Sequence, residues 1–506
     1  MSLSKVLTRA ALGVQAPLVT VEVHISKGLP ALTLVGLPET TVKEARERVR
    51  SAIINSGFTF PAKRVTINLA PADLPKEGGR YDLPIAIAIL AASEQLPEAK
   101  LAQYEFLGEL ALNGALCGVQ GAIPAAMAAL QAGRQMVLAD ENQQDVGLIQ
   151  QGETLVGKHL TEICAFLHSQ STLTVAHYQP EALDPEKQDL SDIIGQEQGR
   201  RALEITAAGG HNLLLLGPPG TGKTMLASRL PSIMPPLGEQ EALECAAINS
   251  LVSSGNLYHQ WRKRPFRAPH HSASLNALIG GGTLPRPGEI SLAHNGVLFL
   301  DELPEFDRKV LDSLREPIES GEIAISRTRA KVTYPARFQL IGAMNPSPTG
   351  HYQGNHNRCT PQQVLRYLSR LSGPFLDRFD LSLEIPLLPS GALSQKQRDR
   401  EGSAEVLKRV LAARQIQIER AGKVNAHLTN PDITRCCRLS QQDAEWLEAI
   451  LNSLGLSVRA WQRILKVART IADLAGEESI TRQHLQEAVS YRSIDRLLIY
   501  LHQSLE

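Results

Sequence analysis

The stretch that most restricts the fold is HNLLLLGPPGTGKTMLASRL, at His211–Leu230. Its four consecutive leucines predict a buried strand, and the residues after the glycine-rich loop predict a helix. In this setting the glycines let backbone N–H groups turn toward a phosphate chain, and the helix N-terminus adds partial positive charge. The stretch therefore predicts an α/β domain that holds the phosphates of a nucleotide.

The residues of the loop have predicted tasks. Lys223 should reach the β- and γ-phosphates, and Thr224 should ligate Mg²⁺, so ATP and Mg²⁺ are the expected cofactors. The residues predicted to bind the nucleotide are Gly217, Pro218, Pro219, Gly220, Thr221, Gly222, Lys223 and Thr224.

Two later apolar runs end in polar side chains. GVLFLDE, at Gly296–Glu302, predicts a buried strand after which Asp301 would hold Mg²⁺, directly or through water, and Glu302 would polarise the attacking water. FQLIGAMNP predicts a further strand ending at Asn345, whose amide would position water against the γ-phosphate. Taken alone, an Asp-Glu pair or an Asn before Pro is common in any protein. Their order after the loop predicts ATP hydrolysis.

The length of 506 residues is too great for one ordinary core, so several domains are expected. Residues 1–168 alternate strand-like and helix-like runs and predict one α/β domain. The polar, proline-containing segment 169–190 is typical of a linker. A second α/β domain, 191–388, contains the nucleotide motifs, and 389–506 is predicted to be helical from about residue 404.

Local patterns in the first domain predict individual elements. Val19–Gly28 and Leu32–Pro38 predict strands with a turn between them. Thr40–Gly57 predicts a helix, capped by a threonine and ended by glycine. Asp82–Ser93 is so uniformly apolar that its period indicates a buried element without deciding between helix and strand.

Charge and cysteine usage exclude several classes of protein. The 52 basic and 52 acidic side chains give a net charge of +0, so any nucleic-acid surface must be local. The six cysteines show no disulfide framework and predict reduced thiols in a cytoplasmic protein. No apolar run is long enough to span a bilayer, and no signal peptide is recognised, so no membrane partner is expected.

The trio of phosphate loop, Asp-Glu strand and Asn strand resembles the AAA+ ATPase family over about 190–388, with a helical lid beyond. The resemblance implies that Asn345 is sensor 1 and that DIIGQ, at Asp192–Gln196, lies beside the adenine. SGPFLDRFDL resembles the arginine-finger segment of the Mg-chelatase and minichromosome-maintenance branches, so Arg378 would act on a neighbouring subunit's ATP. In SVRAWQRILKVARTIADL, Arg459 matches sensor 2, which would touch the γ-phosphate from the lid. Without the resemblance, both arginines are equally well read as surface side chains.

The longer motif FRAPHHSASLNALIGGGTLPRPGEISLAHNGVLFLDE, at Phe266–Glu302, resembles Mg-chelatase-like proteins of the ComM/YifB group, and this resemblance covers the whole chain. In that branch an insertion, here roughly 250–290, and a hairpin, here Gly321–Phe338, project into the pore of a hexamer. The resemblance implies a homo-hexameric motor on single-stranded or branched DNA, with branch migration as its activity. Two alternatives are a metal-insertion chaperone of the Mg-chelatase type and an ATP-dependent protease.

The local chemistry of the two pore segments agrees with contact to DNA. Basic side chains neutralise phosphates and aromatic rings stack on bases, although a short charge run is usually a solvated edge. The hairpin residues predicted to contact DNA are Arg327, Arg329 and Lys331. The insertion residues considered are Trp261, Arg262, Lys263, Arg264, Phe266 and Arg267.

The N-terminal motifs APADLPKEGGRYDLPIAIAIL and FLGELALNGALCGVQGAIPAA resemble the peptidase domain of Lon, which has a ribosomal-S5-like α/β fold. The Ser-Lys dyad of that peptidase is missing, because Arg80–Asp82 follow PKEGG and Ile123 stands at the lysine position. Peptide hydrolysis by this route is therefore not expected. The domain would bind DNA or help to assemble the ring.

Many relatives carry a cysteine cluster after the sensor 1 Asn that resembles a zinc site. This chain has Ser347 and Thr349 there, and only Cys359 with loosely spaced histidines, which is weak evidence for zinc. No metal beyond Mg²⁺ is predicted. The pair His270–His271 is predicted to be packed or hydrogen-bonded, because adjacent side chains on an extended segment point apart.

Overall fold

The structure is a computed structural model that describes residues 2–36, 40–180, 188–253, 255, 257–328, 330–394 and 400–505. Its N-terminal part is an eight-stranded mixed sheet in the order β10-β9-β8-β5-β1-β2-β4-β3, with helices packed on it. The strands are β1 (Ser2–Arg9), β2 (Leu18–Ser26), β3 (Ala31–Val35), β4 (Arg64–Ala70), β5 (Tyr104–Phe106), β6 (Glu109–Leu110), β7 (Leu116–Cys117), β8 (Gln135–Ala139), β9 (Leu155–Gly157) and β10 (Thr174–Val175). The helices are α1 (Thr40–Lys43), α2 (Ala45–Asn55), α3 (Asp82–Ala92), α4 (Ala122–Gln131), α5 (Gln143–Val146) and α6 (Leu160–Leu167).

The uniformly apolar run of the first domain is the helix α3, and every one of its residues is buried. Strands β1 and β2 contact it from the sheet, and α2 packs against it. A helix that is apolar on all sides is stable only when it is enclosed in this way. The pattern could not decide between helix and strand because burial on every side removes the 3.6-residue period.

The two strands predicted at the start of the first domain exist, but they are not neighbours. Strand β4 lies between them, antiparallel to β2 and parallel to β3. The parallel pair β3–β4 needs a long crossover, which α1 and α2 supply. The predicted helix Thr40–Gly57 is confirmed as these two segments, and Gly57 follows them with a φ of 83°.

The second part contains a five-stranded parallel sheet in the order β12-β15-β18-β11-β19. Its strands and the two small hairpins beside it are β11 (Leu213–Leu216), β12 (Phe266–Arg267), β13 (Gly280–Gly281), β14 (Arg286–Pro287), β15 (Val297–Leu300), β16 (Glu322–Arg327), β17 (Ala330–Pro335), β18 (Gln339–Met344) and β19 (Leu381–Glu384). The helices are α7 (Glu197–Gly209), α8 (Lys223–Arg229), α9 (Glu239–Ser250), α10 (Leu275–Ile279), α11 (Glu289–Leu292), α12 (Arg308–Ser313), α13 (Arg315–Ser320), α14 (Pro361–Leu368) and α15 (Gly373–Leu376). Because all strands run in one direction, their carboxyl ends meet along one edge.

The C-terminal part is helical, as predicted. Its helices are α16 (Ser403–Ala421), α17 (Asn430–Cys436), α18 (Gln441–Ser453), α19 (Val458–Leu474), α20 (Arg482–Ser490) and α21 (Ser493–Gln503). The last helix returns to the parallel sheet, where it contacts α14 and β19 and buries Ile494, Leu497 and Leu501. The segment 389–506 therefore contains more than the helical lid.

The segment 169–190, which is predicted to be a linker, contains strand β10. The N-terminal sheet therefore continues into this segment.

A buried carboxylate joins the parallel sheet to the C-terminal helices. Asp380, just before β19, accepts hydrogen bonds from His211 Nδ1 at 3.3 Å and from the backbone N–H of Asn212 at 3.2 Å. Its other oxygen accepts one from Arg463 of α19 at 3.2 Å. Burial disfavours the charge of Asp380, but His211, Arg463 and Lys466 together hold the pKa of this carboxyl below its usual range. The junction fixes the start of β11, the start of β19 and α19 relative to one another.

The N-terminal part packs directly on the second part through α4 and α9. Ala246 and Ala247 of α9 join one apolar cluster with Ile123 of α4. The backbone N–H of Gly121 donates to Ser250 O at 2.7 Å across the same contact. The first domain is thus attached to the second by a core and not only by the chain between them.

No helix among the described residues is long and apolar enough to cross a membrane. All six cysteines are free thiols, and the adjacent pair Cys436–Cys437 is buried.

Replacing Asp380 with alanine should lower the free energy of unfolding by about 3–5 kcal/mol, because the buried His211 and the partly buried Arg463 would lose their shared partner. Urea unfolding followed by tryptophan fluorescence measures this, since Trp446 and Trp461 pack against the same core. The pKa of Asp380 is depressed, so the wild-type advantage should be complete at neutral pH, begin to decline below about pH 4 and vanish only as the pH passes through the depressed pKa. The control Glu305→Ala, which breaks an exposed pair at 3.3 Å, should change the free energy by at most about 1 kcal/mol. Equal effects of the two changes would contradict the structural role of Asp380.

Candidate nucleotide site and its partner surfaces

The phosphate loop links the end of β11 to the start of α8, as the sequence predicts. Gly220 and Gly222 have φ values of 78° and 90°, a conformation that side chains with a Cβ rarely adopt. A Cβ on Gly217 would collide with the carbonyl oxygen of Ile385. These positions need glycine for the loop to close around a phosphate.

Lys223 lies within the loop that precedes it. Its Nζ donates to the carbonyl oxygens of Gly217 at 2.7 Å and Pro218 at 2.9 Å. Asn345 Oδ1, at the end of β18, lies 3.4 Å from the same ammonium. Burial lowers the pKa of Lys223, and the charge of Asp301 opposes that shift. The structure thus brings together the lysine and the amide that the sequence predicts to face a γ-phosphate.

Thr224 and Asp301 meet across the site. The hydroxyl of Thr224 donates to Asp301 Oδ2 at 2.9 Å, and Asp301 Oδ1 accepts the backbone N–H of Glu302 at 2.8 Å. A hydroxyl and a carboxylate side by side are the hard oxygen ligands that Mg²⁺ prefers. The residues present therefore fit a magnesium ion bound with a nucleotide.

Glu302 projects from the edge of the sheet, and its side chain is 63% exposed. Its backbone has a φ of 52°, which turns the chain sharply after β15. Its Oε2 lies 3.5 Å from His271 Nε2. The contact with His271 was not predicted, and the only signal for it in the sequence was the unusual histidine pair.

A groove of about 1380 Å³ runs past the loop and contains the predicted side chains Lys223, Thr224, Asp301, Glu302 and Asn345. Its far wall carries arginines that sequence reasoning missed. They are Arg358, Arg366 and Arg370. Arg366 and Arg370 are four residues apart, a spacing that places two side chains on the same face of a helix. This spacing could have indicated from the sequence that one wall of the groove is basic.

The segment DIIGQ contacts the loop directly. Gln196, with a φ of 54°, donates from Nε2 to Thr221 O at 3.2 Å and to Pro386 O at 2.8 Å. The segment therefore lies beside the phosphate loop, and its contact with an adenine stays a prediction.

Arg378 and Arg459 do not line this groove. Arg378 forms an ion pair with Glu319 at 2.6 Å, and Arg459 lies 3.7 Å from Asp377. Both line a second groove of about 490 Å³, together with Asn212. Asn212 precedes β11 while the phosphate loop follows it, so the second groove lies at the opposite edge of the sheet. Arg459, which is predicted to touch the γ-phosphate from the lid, does not line the nucleotide groove of this chain, because Arg463 ties α19 to Asp380 at the opposite edge.

The predicted hairpin is confirmed as the antiparallel pair β16–β17, and its apolar side chains are buried against the domain. Arg327 donates to Asn276 Oδ1 at 2.9 Å, which joins the hairpin tip to the insertion. Lys331 is exposed. Arg329 lies outside the described residues.

Several insertion residues considered for DNA have structural partners instead. Arg264 is buried and donates to the carbonyl oxygens of Pro235 and Asn295, both at 2.7 Å. Arg267 pairs with Glu289 at 2.7 Å. Phe266 stacks on Phe299 and Trp261 packs on α9. The carbonyl oxygen of Arg262 accepts the backbone N–H of Leu237 at 3.3 Å. The sequence alone makes this basic run resemble a DNA-binding surface, because the carbonyl oxygens that bind Arg264 belong to residues distant along the chain.

The prediction that His270 and His271 are packed and hydrogen-bonded is confirmed. The expectation that their side chains point apart, on which that prediction was based, is wrong. Their ring centroids are 4.1 Å apart, so the side chains do not point apart. His270 Nδ1 lies 2.8 Å from the hydroxyl of Ser272.

The loop after Asn345 brings its polar residues together. Thr349 Oγ1 lies 3.3 Å from Cys359 Sγ and 3.4 Å from Ser347 Oγ, and the rings of His351 and His356 are 5.3 Å apart. Among the described residues, no group of three or more His, Cys, Asp or Glu side chains is arranged to hold a metal ion.

Replacing Lys223 with alanine should weaken nucleotide binding at least tenfold, because charge-assisted hydrogen bonds to phosphate are worth about 1.5–3 kcal/mol. Fluorescence anisotropy of a labelled ATP analogue measures the dissociation constant. The control Lys408→Ala removes an exposed lysine of α16 and should leave binding unchanged. An unchanged constant in the Lys223 variant would show that the loop does not hold phosphates.

Comparison with known proteins assigns the chain to a family. The profile described as "Magnesium chelatase, subunit ChlI" matches residues 189–393, and profiles for "Subunit ChlI of Mg-chelatase" and its C-terminal region match residues 21–142 and 400–492. YifB of Escherichia coli (strain K12) is 68% identical over 505 residues, which cover 100% of both chains. Competence protein ComM of Haemophilus influenzae is 60% identical over 503 residues, or 98% of this chain and 99% of its own. The magnesium-chelatase 38 kDa subunit of Rhodobacter capsulatus is 27% identical over 368 residues, which cover 64% of this chain and 93% of its own. The chain therefore belongs to the Mg-chelatase-like AAA+ family, within the group that contains ComM and YifB.

Proposed function

We propose that the chain is an ATPase that forms a homo-hexameric ring in the cytoplasm and moves along single-stranded or branched DNA to drive branch migration during recombination. The single observation that carries the proposal is the division of the ATP machinery between opposite edges of one sheet. One edge has the phosphate loop and the carboxylates, and the other has Arg378 and Arg459. A complete site then requires two subunits, with the second edge of one facing the first edge of the next.

In this proposal each side chain of the first edge has one task. Lys223 neutralises the β- and γ-phosphates, while Thr224 and Asp301 hold Mg²⁺. Glu302 polarises the attacking water, and Asn345 orients that water against the γ-phosphate. The 3.4 Å separation of Lys223 Nζ and Asn345 Oδ1 supports this, since both reach one phosphate position.

Two arginines of the neighbouring subunit would complete the site. Arg378 has a partly buried guanidinium whose Nε finds no hydrogen-bond partner in the part of the chain that the structure describes, and burial lowers its pKa despite the opposing charge of Glu319. A γ-phosphate is a stronger acceptor than the exposed carboxylate of Glu319. Arg459 is 70% exposed and is available to the same phosphate.

The assignment to DNA rests on the hairpin and on the likeness to ComM. The hairpin is anchored by apolar side chains buried against the domain and exposes both Arg327 and Lys331 near its tip, as a phosphate contact requires. The ComM sequence aligns along almost its whole length, including the N-terminal part, whereas the magnesium-chelatase subunit covers 64% of the chain. A DNA motor is therefore favoured over a metal-insertion chaperone.

Mixing variants tests the two-subunit site. Arg378→Ala and Glu302→Gln should each reduce kcat by about 10³-fold or more while leaving nucleotide binding intact. In an equal mixture, a subunit interface is intact where a subunit with wild-type Glu302 meets a neighbour with wild-type Arg378. In a randomly mixed ring about a quarter of the interfaces meet this condition, so ATPase activity should recover to roughly a quarter of wild type. No recovery would mean that Arg378 acts within its own chain.

A second mixture locates Arg459. If both arginines act from the same subunit, an equal mixture of Arg378→Ala and Arg459→Ala contains no intact joint and should stay inactive. If Arg459 acts within its own chain, the same mixture should recover. The two outcomes are read in one steady-state ATPase assay, against the previous mixture as the positive control.

DNA coupling is tested by ATPase measurements with forked, three-stranded, single-stranded and duplex DNA. Branched DNA should stimulate the wild-type enzyme. Arg327→Ala combined with Lys331→Ala should keep basal ATPase, lose the stimulation and reduce the salt dependence of DNA binding by about one counterion per residue. The control Arg308→Ala with Lys309→Ala, on exposed positions of α12, should behave as wild type. If no DNA binds or stimulates, the assignment to DNA is wrong.

A further inference from the structure

The hairpin β16–β17 packs on the N-terminal part as well as on the ATPase part. Among the described residues its two strands pair only with each other, and an isolated two-stranded hairpin is at best marginally stable in water. The connection from β1 to β2 (residues 10–17, the β1–β2 turn) lies against β17. A Cβ on Gly13 would come within 2.7 Å of Val332 Cγ1, which is closer than such atoms approach in proteins. The β1–β2 turn and the hairpin therefore touch without space between them.

Apolar and polar groups both contribute to this contact. Leu12 and Val14 pack against the apolar cluster that contains Tyr334 of β17. The backbone N–H of Gly13 donates to the hydroxyl of Tyr334, and that hydroxyl donates to Pro285 O at 2.7 Å. Because Tyr334 is 1% exposed, its hydroxyl depends on these partners. The turn thus supplies part of the support that the hairpin lacks on its own.

The β1–β2 turn is itself held in a fixed shape. Arg9, the last residue of β1, donates to both carboxylate oxygens of Glu105, at 2.7 and 2.8 Å, and to Ala16 O at 3.2 Å. Arg9 and Glu105 are both buried. The backbone N–H of Ala10 donates to Pro17 O at 3.0 Å, which closes the turn. A turn fixed by a buried, two-pronged ion pair can hold an element that packs on it.

The N-terminal part also holds the start of the insertion. Asp145 of α5 is 4% exposed and accepts the backbone N–H groups of Gly255 and Leu257, both at 3.2 Å. Farther along the insertion, Asn276 accepts the hydrogen bond from Arg327 near the hairpin tip. The two segments predicted to face DNA are therefore attached to the N-terminal part and, near the tip, to each other.

In the part of the chain that the structure describes, the N-terminal part contributes no residue to the nucleotide groove. We propose that it positions the hairpin: the β1–β2 turn supports β17, so that Arg327 and Lys331 keep a fixed place beside the insertion. Leu12, Gly13 and Val14 are then positioning residues, which act through the hairpin and not on a ligand. The inference rests on the proposed function, because this support affects DNA coupling only if the hairpin contacts DNA.

Hydrogen exchange of the full chain, followed by mass spectrometry, tests the support without DNA. Leu12→Ala combined with Val14→Ala removes apolar groups from the contact, so amide exchange in β16 and β17 should become about tenfold faster or more. Val332→Ala, on the hairpin side of the same contact, should act in the same direction. Exchange in β11 and α8 should stay as in wild type. The control Leu3→Ala with Leu29→Ala, at side chains 55% and 87% exposed, should leave exchange in the hairpin unchanged.

ATPase measurements on the same variants, with and without forked DNA, test the consequence. Basal ATPase of the Leu12→Ala, Val14→Ala variant should match wild type, because its nucleotide groove is unchanged, while stimulation by forked DNA should be largely lost. The pair Leu12→Met with Val14→Ile keeps the contact apolar and should retain the stimulation. A substitution that only destabilised the fold would lower basal ATPase and the melting temperature as well.

The proposal is overturned if hairpin exchange is unchanged in both the Leu12→Ala, Val14→Ala variant and Val332→Ala. It is also overturned if basal and DNA-stimulated ATPase fall to the same extent, or if stimulation persists despite faster exchange. Faster exchange in these variants, together with a wild type that no DNA stimulates, would leave the support of the hairpin standing and show that the assignment to DNA is wrong.

Discussion

The carboxylate of Asp380 is the interaction on which the arrangement of the ATPase part depends. It ties the residue before β11, the residue before β19 and the lid helix α19 to one point. Arg459 and Arg463 are four residues apart on α19 and share one face of the helix. With Arg463 fixed to Asp380, Arg459 must face Asp377 at the amino-terminal edge of the sheet. One buried charge thus decides on which side of the domain the second arginine lies.

The same edge is connected to the hairpin by a short path. Arg378 pairs with Glu319, which stands near the end of α13, and Gly321 joins that helix to β16. Under the proposed function, a neighbour's γ-phosphate would compete with Glu319 for Arg378 and free the segment just before the hairpin. Loss of the phosphate would restore the pair. The coupling of hydrolysis to hairpin position then needs only an exchange of one ion pair, within the energy that a charge-assisted contact supplies.

The sequence was sufficient to predict the elements whose chemistry is local. The phosphate loop, the carboxylates after β15 and Asn345 are each set by a strand and the residues directly after it, so motif and position coincide. The pairing of β4 between β2 and β3, and the return of α21 to the sheet, depend on contacts between distant segments and leave no periodic signal. The positions of the Arg264 and Arg459 side chains leave no local signal for the same reason, because a carbonyl acceptor or a helix anchor elsewhere in the chain decides where each side chain lies.

Lys223 shows how the nucleotide site is prepared for a charged ligand. Its ammonium is bound by carbonyl oxygens of its own loop, which hold the loop in a closed curve but are neutral acceptors. Burial makes the charge of Lys223 costly, and neutral carbonyls offset only part of that cost. Phosphate oxygens carry charge and so offset more of it, which gives the lysine a reason to exchange its partners when ATP binds. The same argument applies to Arg378, which under the proposed function lies at a subunit joint, where a partly satisfied and partly buried cation gains most from an anion that its own chain does not provide.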